Sequence, residues 1–250
     1  MKPSSESCAL RDQGVLITGG ARRVGAEIAR TLHAAGANVL IHYRSSAAAA
    51  IALADQFNTL RAHSAAIFAA HLLDPEAPDK LIAAALLNFG RLDILINNAS
   101  SFYPTPVGSI TLPQWDDLVG TNMMAPLFLS QAAAPSLRAQ RGLIINMIDI
   151  HALRPLKAHP VYSAAKAGLA MLTRSLAREL GPEIRVNGIA PGPVLWPEDM
   201  DETLKREIID KTALKRHGTP QDIARTALFL AKDAGYITGQ IIAVDGGRGI

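Results

Sequence analysis

The sequence has almost no cysteine and no concentrated charge. Cys8 is the single cysteine among 250 residues, so no disulfide can form within the chain, as is usual in a reducing compartment. Lys and Arg are spread along the chain and the formal net charge is only +3, which argues against a nucleic-acid surface. Residues 1–12 lack the apolar stretch of a signal peptide, and no apolar run is long enough to span a membrane. We therefore expect a cytoplasmic protein that binds neither nucleic acid nor membrane.

Apolar residues make up 49% of the sequence, enough to bury one core. Longer segments of helical periodicity, such as Val24–Ala35 and Ala164–Glu179, separate short apolar runs without polar alternation, which is typical of parallel strands buried on both faces. The predicted strands are Val15–Thr18, Asn38–His42, Ala65–Ala70, Leu92–Ile96, Leu143–Ile148, Ile184–Ile189 and Ile241–Val244. The sequence therefore predicts an α/β fold with a single Rossmann-like doubly wound parallel sheet, flanked by helices on both faces. Residues 1–12 are expected to form a flexible tail and residues 13–250 a single domain.

A glycine-rich turn follows the first predicted strand and opens a helix. Glycines such as Gly19 and Gly25 let the backbone turn sharply and approach a phosphate closely. The N-terminus of the following helix supplies free N–H groups and positive potential for a pyrophosphate. We expect Gly19, Arg23, Val24 and Gly25 to bind a dinucleotide.

The second predicted strand ends without the acidic residue that usually holds the ribose of NAD. The sequence there is His42-Tyr43-Arg44-Ser45-Ser46, in which Arg44 and the serines offer donors to a 2′-phosphate. A charge-assisted hydrogen bond contributes about 1.5–3 kcal/mol, enough for tenfold or greater discrimination against NAD. We therefore predict NADPH as cofactor, held at its 2′-phosphate by Arg44 and Ser45. The alternative is that Arg44 is a solvated loop cation.

A tyrosine and a lysine four residues apart, Tyr162 and Lys166, open a long predicted helix. This spacing places the phenol and the ammonium on one helix face. Tyrosine titrates near pH 10 in model compounds, and a neighbouring ammonium is expected to lower that pKa toward the range useful for acid–base catalysis.

The ordered combination of these motifs resembles the short-chain dehydrogenase/reductase family. It comprises Thr18-Gly19 with Gly25, Asn97-Asn98-Ala99, Asn122, Tyr162 with Lys166, and Pro191-Gly192. The resemblance implies that Tyr162 is the general acid or base, that Lys166 holds the nicotinamide ribose and tunes Tyr162, and that Asn122 maintains a water-linked proton path. It also implies cofactor contacts at Asn98, Ala99, Ser100, Pro191 and Gly192, and a homotetramer. Residues 13–250 would then be one NADP-binding catalytic domain.

Three departures from the common family pattern resemble its pteridine reductase branch. Asp149 stands where the family usually has a serine, Arg23 replaces the middle glycine of the loop, and residues 97–106 extend the usual Asn-Asn-Ala-Gly pattern. The segment His42-Tyr43-Arg44-Ser45 also resembles the NADPH loop of that branch, which implies cofactor contacts at these four residues. His71 stands where relatives commonly carry an Asp near the adenine, which leaves that contact open.

The resemblance implies reduction of a pterin. Pterin reduction adds a hydride to a ring carbon and a proton to the adjacent nitrogen, and Asp149 beside Tyr162 can help relay that proton. Phe102 is expected to stack on the flat heterocycle. Arg23 and Ser100 would reach the pterin edge or the cofactor phosphates, and Trp196 would line the pocket.

Structural alternatives are open for several of these residues. Asp149 can instead cap a helix or pair with Arg154, and Phe102 and Trp196 can serve packing alone. No metal site is expected, because the spacing of the histidines does not fit one. We expect structural or solvated side chains at His33, His63, His151, His159 and His217. The carboxylates Glu198, Asp199, Asp201 and Glu202 are predicted to begin an exposed helix.

Two other functions remain open from the sequence. One is a generic NADPH-dependent carbonyl reductase, for example a 3-oxoacyl thioester reductase, in which Asp149 is a tolerated variant. The other is a catalytically silent NADPH-binding regulator, against which the intact Tyr162 and Lys166 argue.

Overall fold

The computed structural model describes residues 9–196 and 200–250, and a parallel sheet lies at its centre. The described residues contribute seven strands in the spatial order β3-β2-β1-β4-β5-β6-β7, with every neighbouring pair parallel. The strands are β1 (Gly14–Ile17), β2 (Asn38–Tyr43), β3 (Ala65–Ala69), β4 (Ile94–Asn97), β5 (Leu143–Met147), β6 (Arg185–Pro191) and β7 (Ile241–Val244). The predicted doubly wound α/β fold is confirmed.

Helices connect the strands. Within the described ranges they are α1 (Arg23–Ala34), α2 (Ala47–Leu60), α3 (Ala77–Phe89), α4 (Leu112–Val119), α5 (Ala125–Gln140), α6 (Pro160–Leu180), α7 (Glu202–Asp210) and α8 (Pro220–Lys232). A π-helical turn at Gly120–Met124 joins α4 to α5, and a 3₁₀ turn at Ile150–Ala152 follows β5.

The five central strands, β2, β1, β4, β5 and β6, are buried on both faces apart from their ends, which explains the uninterrupted apolar runs in the sequence. Successive side chains of β1 enter different cores: Ile17 packs with residues of α1, α2 and α8, whereas Leu16 packs with residues of α3, α5 and α6. The two cores therefore lie on opposite faces of the sheet. No helix in the described part of the chain has both the length and the apolar character needed to cross a membrane.

The ends of the predicted elements differ from the structure by a few residues. The fourth strand begins at Ile94 rather than Leu92, and the sixth extends to Pro191. The largest difference is at α6, which begins at Pro160 instead of Ala164 and so includes Tyr162 in its first turn. Proline at the first helical position fits this start, because its missing N–H would have no helical partner there.

Leu10, which was expected to lie in the flexible tail, packs against the fold instead. Its side chain is 1% exposed in the core beside α1, and its N–H donates to the carbonyl of Ala35 at 2.9 Å. The packed part of the chain therefore begins ahead of the predicted boundary at residue 13.

The strand order reverses direction between β1 and β4, at the centre of the sheet. Loops leaving the carboxyl ends of these two strands run to opposite sides, which opens a crevice between them. The glycine loop after β1 and the Asn98 loop after β4 both lie at this edge, as do the ends of β5 and β6.

Candidate active site

The glycine loop between β1 and α1 is fixed by the end of β4. The Thr18 hydroxyl accepts the N–H groups of Asn98 and Ala99 at 2.9 and 3.0 Å. In return, the Asn98 amide donates to the carbonyls of Thr18 and Gly19 at 2.9 and 3.1 Å. Both amide protons of Asn98 are thus used to hold the loop.

The geometry of this loop fits a dinucleotide phosphate. Gly19 has φ +60°, and a Cβ on Gly25 would lie 2.6 Å from Asn98 Nδ2 and collide with the carbonyl of Gly19. Only glycine therefore allows α1 to start so close to the loop. No side chain caps the first turn of α1, so its N–H groups are available to an anion.

Arg23 takes the place of a glycine in conformation as well as in sequence. Its φ is +54°, in the left-handed region, which costs about 1–2 kcal/mol for a residue with a Cβ. Its side chain is exposed at the start of α1, near the N–H groups that face the crevice. A strained, exposed cation at this position is suited to an anionic or electron-rich ligand.

The end of β2 presents Arg44 and Ser45 to solvent, with Tyr43 half-buried. His42 lacks the exposure expected of a residue that contacts the cofactor directly. It is 2% exposed, and its two ring nitrogens bond to the backbone of Gly19 and Ala70, both at 3.1 Å. His71 is exposed and accepts the N–H of Leu73.

Tyr162 and Asp149 meet in a direct hydrogen bond. The Tyr162 hydroxyl donates to Asp149 Oδ2 at 2.7 Å, and the phenol is 4% exposed. The other carboxylate oxygen, Oδ1, accepts the N–H of His151 at 2.8 Å and caps the 3₁₀ turn. The capping role considered from the sequence is therefore present alongside the contact with Tyr162. Among the ion pairs of the described residues, none joins Asp149 to Arg154.

The predicted lowering of the Tyr162 pKa is wrong for this structure. Burial and the facing Asp149 carboxylate instead raise the pKa of Tyr162 well above its ordinary value. Lys166 does lie over the phenol ring, 5.8 Å from its centroid, and donates to the carbonyl of Met147 at 2.8 Å. Burial lowers the pKa of Lys166 to about 8, although the Asp149 carboxylate acts against this shift. Tyr162 is thus held as a neutral phenol.

Asn122 reaches the site from the π-helical turn between α4 and α5. Its amide nitrogen donates to the carbonyls of Leu118 and Ser101, both at 2.9 Å. Its oxygen accepts the Ser100 hydroxyl at 2.6 Å. Ser100 also acts to lower the pKa of Tyr162, so Asn122, Ser100, Tyr162 and Asp149 lie side by side at the site.

Phe102 packs against Tyr162. Its ring is 55% exposed, meets Tyr162 edge-on with centroids 4.8 Å apart, and stacks on His159 at 4.8 Å. The loop that carries Phe102 is anchored by Asp117, which accepts the hydroxyls of Tyr103 at 3.1 Å and Ser101 at 3.3 Å. The sequence had assigned no role to Asp117 and had treated His159 as structural or solvated. The sequence did contain one signal that His159 lies at the site, which is its position three residues before Tyr162.

The remaining predicted residues lie along the β6 side of the crevice or away from it. Pro191 ends β6, and the N–H of Gly192 donates to the carbonyl of Val244 at 3.0 Å. Trp196 packs edge-on against His217, with ring centroids 5.8 Å apart, and no ring contact of the described residues joins it to Tyr162 or Phe102.

Asp201 caps α7 and Glu202 begins it, as predicted. Glu198 and Asp199 lie outside the described residues. Across residues 9–196 and 200–250, no three His, Cys, Asp or Glu side chains group as a metal site.

A phosphate-binding glycine loop at the centre of a parallel sheet, facing a buried Tyr–Lys pair, defines a nicotinamide-dependent oxidoreductase. Residues 19–248 match the family model described as enoyl-(acyl carrier protein) reductase. Pteridine reductase 1 of Leishmania tarentolae is 37% identical over 273 residues, which cover 93% of this chain and 94% of the relative. A 3-oxoacyl-(acyl-carrier-protein) reductase FabG of Staphylococcus aureus is 35% identical over 240 residues, with 94% and 97% covered. The short-chain dehydrogenase/reductase FrzI of Cladobotryum sp. is 34% identical over 250 residues, with 95% and 96% covered. The chain belongs to the short-chain dehydrogenase/reductase family.

Proposed function

We propose that this protein reduces pterins or dihydropterins with NADPH. The observation that carries the proposal is the 2.7 Å hydrogen bond from Tyr162 to Asp149 Oδ2 beneath an exposed Phe102 ring. A carbonyl reductase needs a donor to one oxygen atom, for which a serine at position 149 is sufficient. A carboxylate there is suited to a ring nitrogen that must gain a proton.

The cofactor would be held by the glycine loop, the start of α1 and the residues after β2. Arg44 and Ser45 are exposed where an acidic residue would otherwise select NAD, and they are suited to a 2′-phosphate. When bound, NADPH supplies the hydride that reaches the substrate carbon. The 2′-phosphate contact is tested by Arg44→Ala, described with the other predictions in the Discussion.

The protein residues supply and stabilise the proton. The phenol of Tyr162 is neutral at physiological pH, because burial and the facing carboxylate disfavour its charged form. A substrate nitrogen that approaches the Tyr162–Asp149 pair takes this proton as the adjacent carbon is reduced. The phenolate left behind faces the Lys166 ammonium across its ring, and Ser100 favours it by acting to lower the pKa of Tyr162. Phe102 offers its exposed ring to the flat heterocycle.

The similarity to pteridine reductase 1 supports this substrate class, but the similarity to FabG is of nearly the same size. The second candidate is therefore reduction of a 3-oxoacyl thioester. The chemistry at position 149 separates the two, because a thioester substrate carries no ring nitrogen to protonate.

The test replaces Asp149 by serine and measures NADPH oxidation with biopterin, dihydrobiopterin, dihydromonapterin, dihydrofolate and a 3-oxoacyl thioester. The Asp149→Ser variant should lose at least about a hundredfold in kcat with every pterin, as expected when a proton-transfer group is removed. Asp55→Ser, which removes an exposed carboxylate from α2, serves as the matched control and should leave all rates unchanged. Full pterin activity in Asp149→Ser, or turnover of the thioester alone by the wild type, would contradict the proposal.

We further propose a cytoplasmic homotetramer in which the long helices pair between subunits. Phe128 on α5 and Met171 on α6 are exposed large apolar side chains that such pairing would cover. Light scattering after size-exclusion chromatography tests the assembly, and a monomer at micromolar concentration would contradict it. Cell fractionation tests the location.

A further inference from the structure

His42 lies on β2, one residue before its end, and its hydrogen bonds reach the segments that follow both neighbouring strands, β1 and β3. Its Nδ1 accepts the N–H of Gly19, in the loop after β1, at 3.1 Å. Its Nε2 lies 3.1 Å from the carbonyl of Ala70, just after β3. Its own carbonyl accepts the N–H of Gly20 at 2.9 Å. Both the side chain and the backbone of His42 therefore hold the first two glycines of the loop.

These partners fix which nitrogen carries the proton. Gly19 brings an N–H to Nδ1, so Nδ1 must be a bare acceptor, and Ala70 brings a carbonyl to Nε2, so Nε2 must be the donor. The ring is thus neutral with its proton on Nε2, and it has no further donor or acceptor to offer. Its 2% exposure also leaves no open edge for a ligand.

Gly19 needs such a restraint. It has φ +60° and lies against Ala99, whose Cα would be 3.1 Å from a Cβ at this position. With its N–H bound to His42 and its carbonyl bound to Asn98, the peptide groups on both sides of Gly19 are fixed. The loop therefore enters α1 in one orientation, which leaves the N–H groups of the first turn of α1 directed to the crevice.

We propose that His42 is a positioning residue for the dinucleotide: its neutral imidazole holds Gly19 in the phosphate-binding conformation and does not itself touch the cofactor. The inference requires that the loop binds a nicotinamide dinucleotide, and it does not depend on the pterin substrate. It applies to NADPH and NADH alike, because the loop holds the part that the two share.

Two substitutions test the hydrogen bonds of the two ring nitrogens, Nδ1 and Nε2, separately. The side-chain oxygen in His42→Asn reaches the position of Nδ1 and keeps an acceptor for Gly19, but loses the bond to Ala70. The amide nitrogen in His42→Gln reaches the position of Nε2 and keeps the donor to Ala70, but leaves the N–H of Gly19 without an acceptor.

The dissociation constants of NADPH and NADH, measured by fluorescence quenching, should rise about tenfold in His42→Gln and less than about threefold in His42→Asn. The kcat at saturating NADPH should be unchanged in both variants. Equal weakening by the two substitutions, or loss of NADPH binding without loss of NADH binding, would overturn the proposal. The second result is the signature of a direct 2′-phosphate contact. Nitrogen-15 spectra of the histidine-labelled wild type give a readout without any substitution: a His42 Nδ1 that carries a proton would also refute the proposal.

Discussion

Acid should destabilise this protein through His42. Burial lowers the pKa of His42 to about 4, whereas the same side chain in the unfolded chain titrates near its ordinary value of 6.5. As the pH falls below 6.5, His42 therefore becomes protonated in the unfolded state while it stays neutral in the folded state. Stability from this residue is present above that pH, declines as the pH falls, and is fully lost below about pH 4.

The pKa difference sets the size of the effect. One pKa unit corresponds to 1.36 kcal/mol, so the complete loss is about 3 kcal/mol, of which about 2 kcal/mol is lost by pH 5. Urea unfolding at a series of pH values from 7.5 to 5, at one protein concentration, measures this loss. His33 has a pKa lowered to about 4 by burial and by the Arg61 charge, and it contributes in the same direction.

His42→Asn is the comparison that isolates His42, because an amide side chain does not titrate in this range. Between pH 7.5 and pH 5, the wild type should lose about 2 kcal/mol more unfolding free energy than the variant. Parallel curves for the two proteins would refute the reasoning, since they would mean that His42 is already protonated in the folded state or is never buried as described.

Four further predictions concern the site. Arg44→Ala should weaken NADPH binding at least tenfold and leave NADH binding unchanged, and equal losses would contradict the 2′-phosphate assignment. Arg23→Gly should keep or raise the unfolding free energy, by up to about 1 kcal/mol, because glycine adopts the positive φ without strain; a clear loss in urea unfolding would contradict this. Phe102→Leu should raise KM for dihydrobiopterin about three- to tenfold with kcat nearly unchanged, and an unaltered KM would remove the stacking role. Tyr162→Phe should lower kcat by about 10²–10⁴, and retention of kcat would exclude Tyr162 as proton donor.

The order of the elements could be predicted from the sequence because the central strands are buried on both faces. Leu16 and Ile17 enter opposite cores, so the apolar runs show no alternation and stand out from the helical segments. The place of the crevice followed from the glycine loop after β1. Arg23 was also informative, since its positive φ is the conformation of the glycine it replaces.

The protonation of the site could not be predicted in the same way. The spacing of Tyr162 and Lys166 shows that the two side chains share a helix face, but it gives neither the burial of the phenol nor the direction of the Asp149 carboxylate. Those two features come from the tertiary packing of α6 against the end of β5, and together they raise the pKa that the lysine alone would lower. The stacking of His159 on Phe102 is likewise a long-range contact, between the α6 start and the loop after β4.

The bond between Asp149 Oδ1 and the N–H of His151 has a consequence for the choice of substitutions. The N–H of His151 needs an oxygen acceptor. In an Asp149→Asn variant the side-chain oxygen would therefore face His151, and the NH₂ group would face Tyr162. The phenol would then face a donor and would have to rotate its own hydrogen away. Asp149→Asn hardly changes the shape of the side chain, but it reverses the polarity of the hydrogen bond with Tyr162.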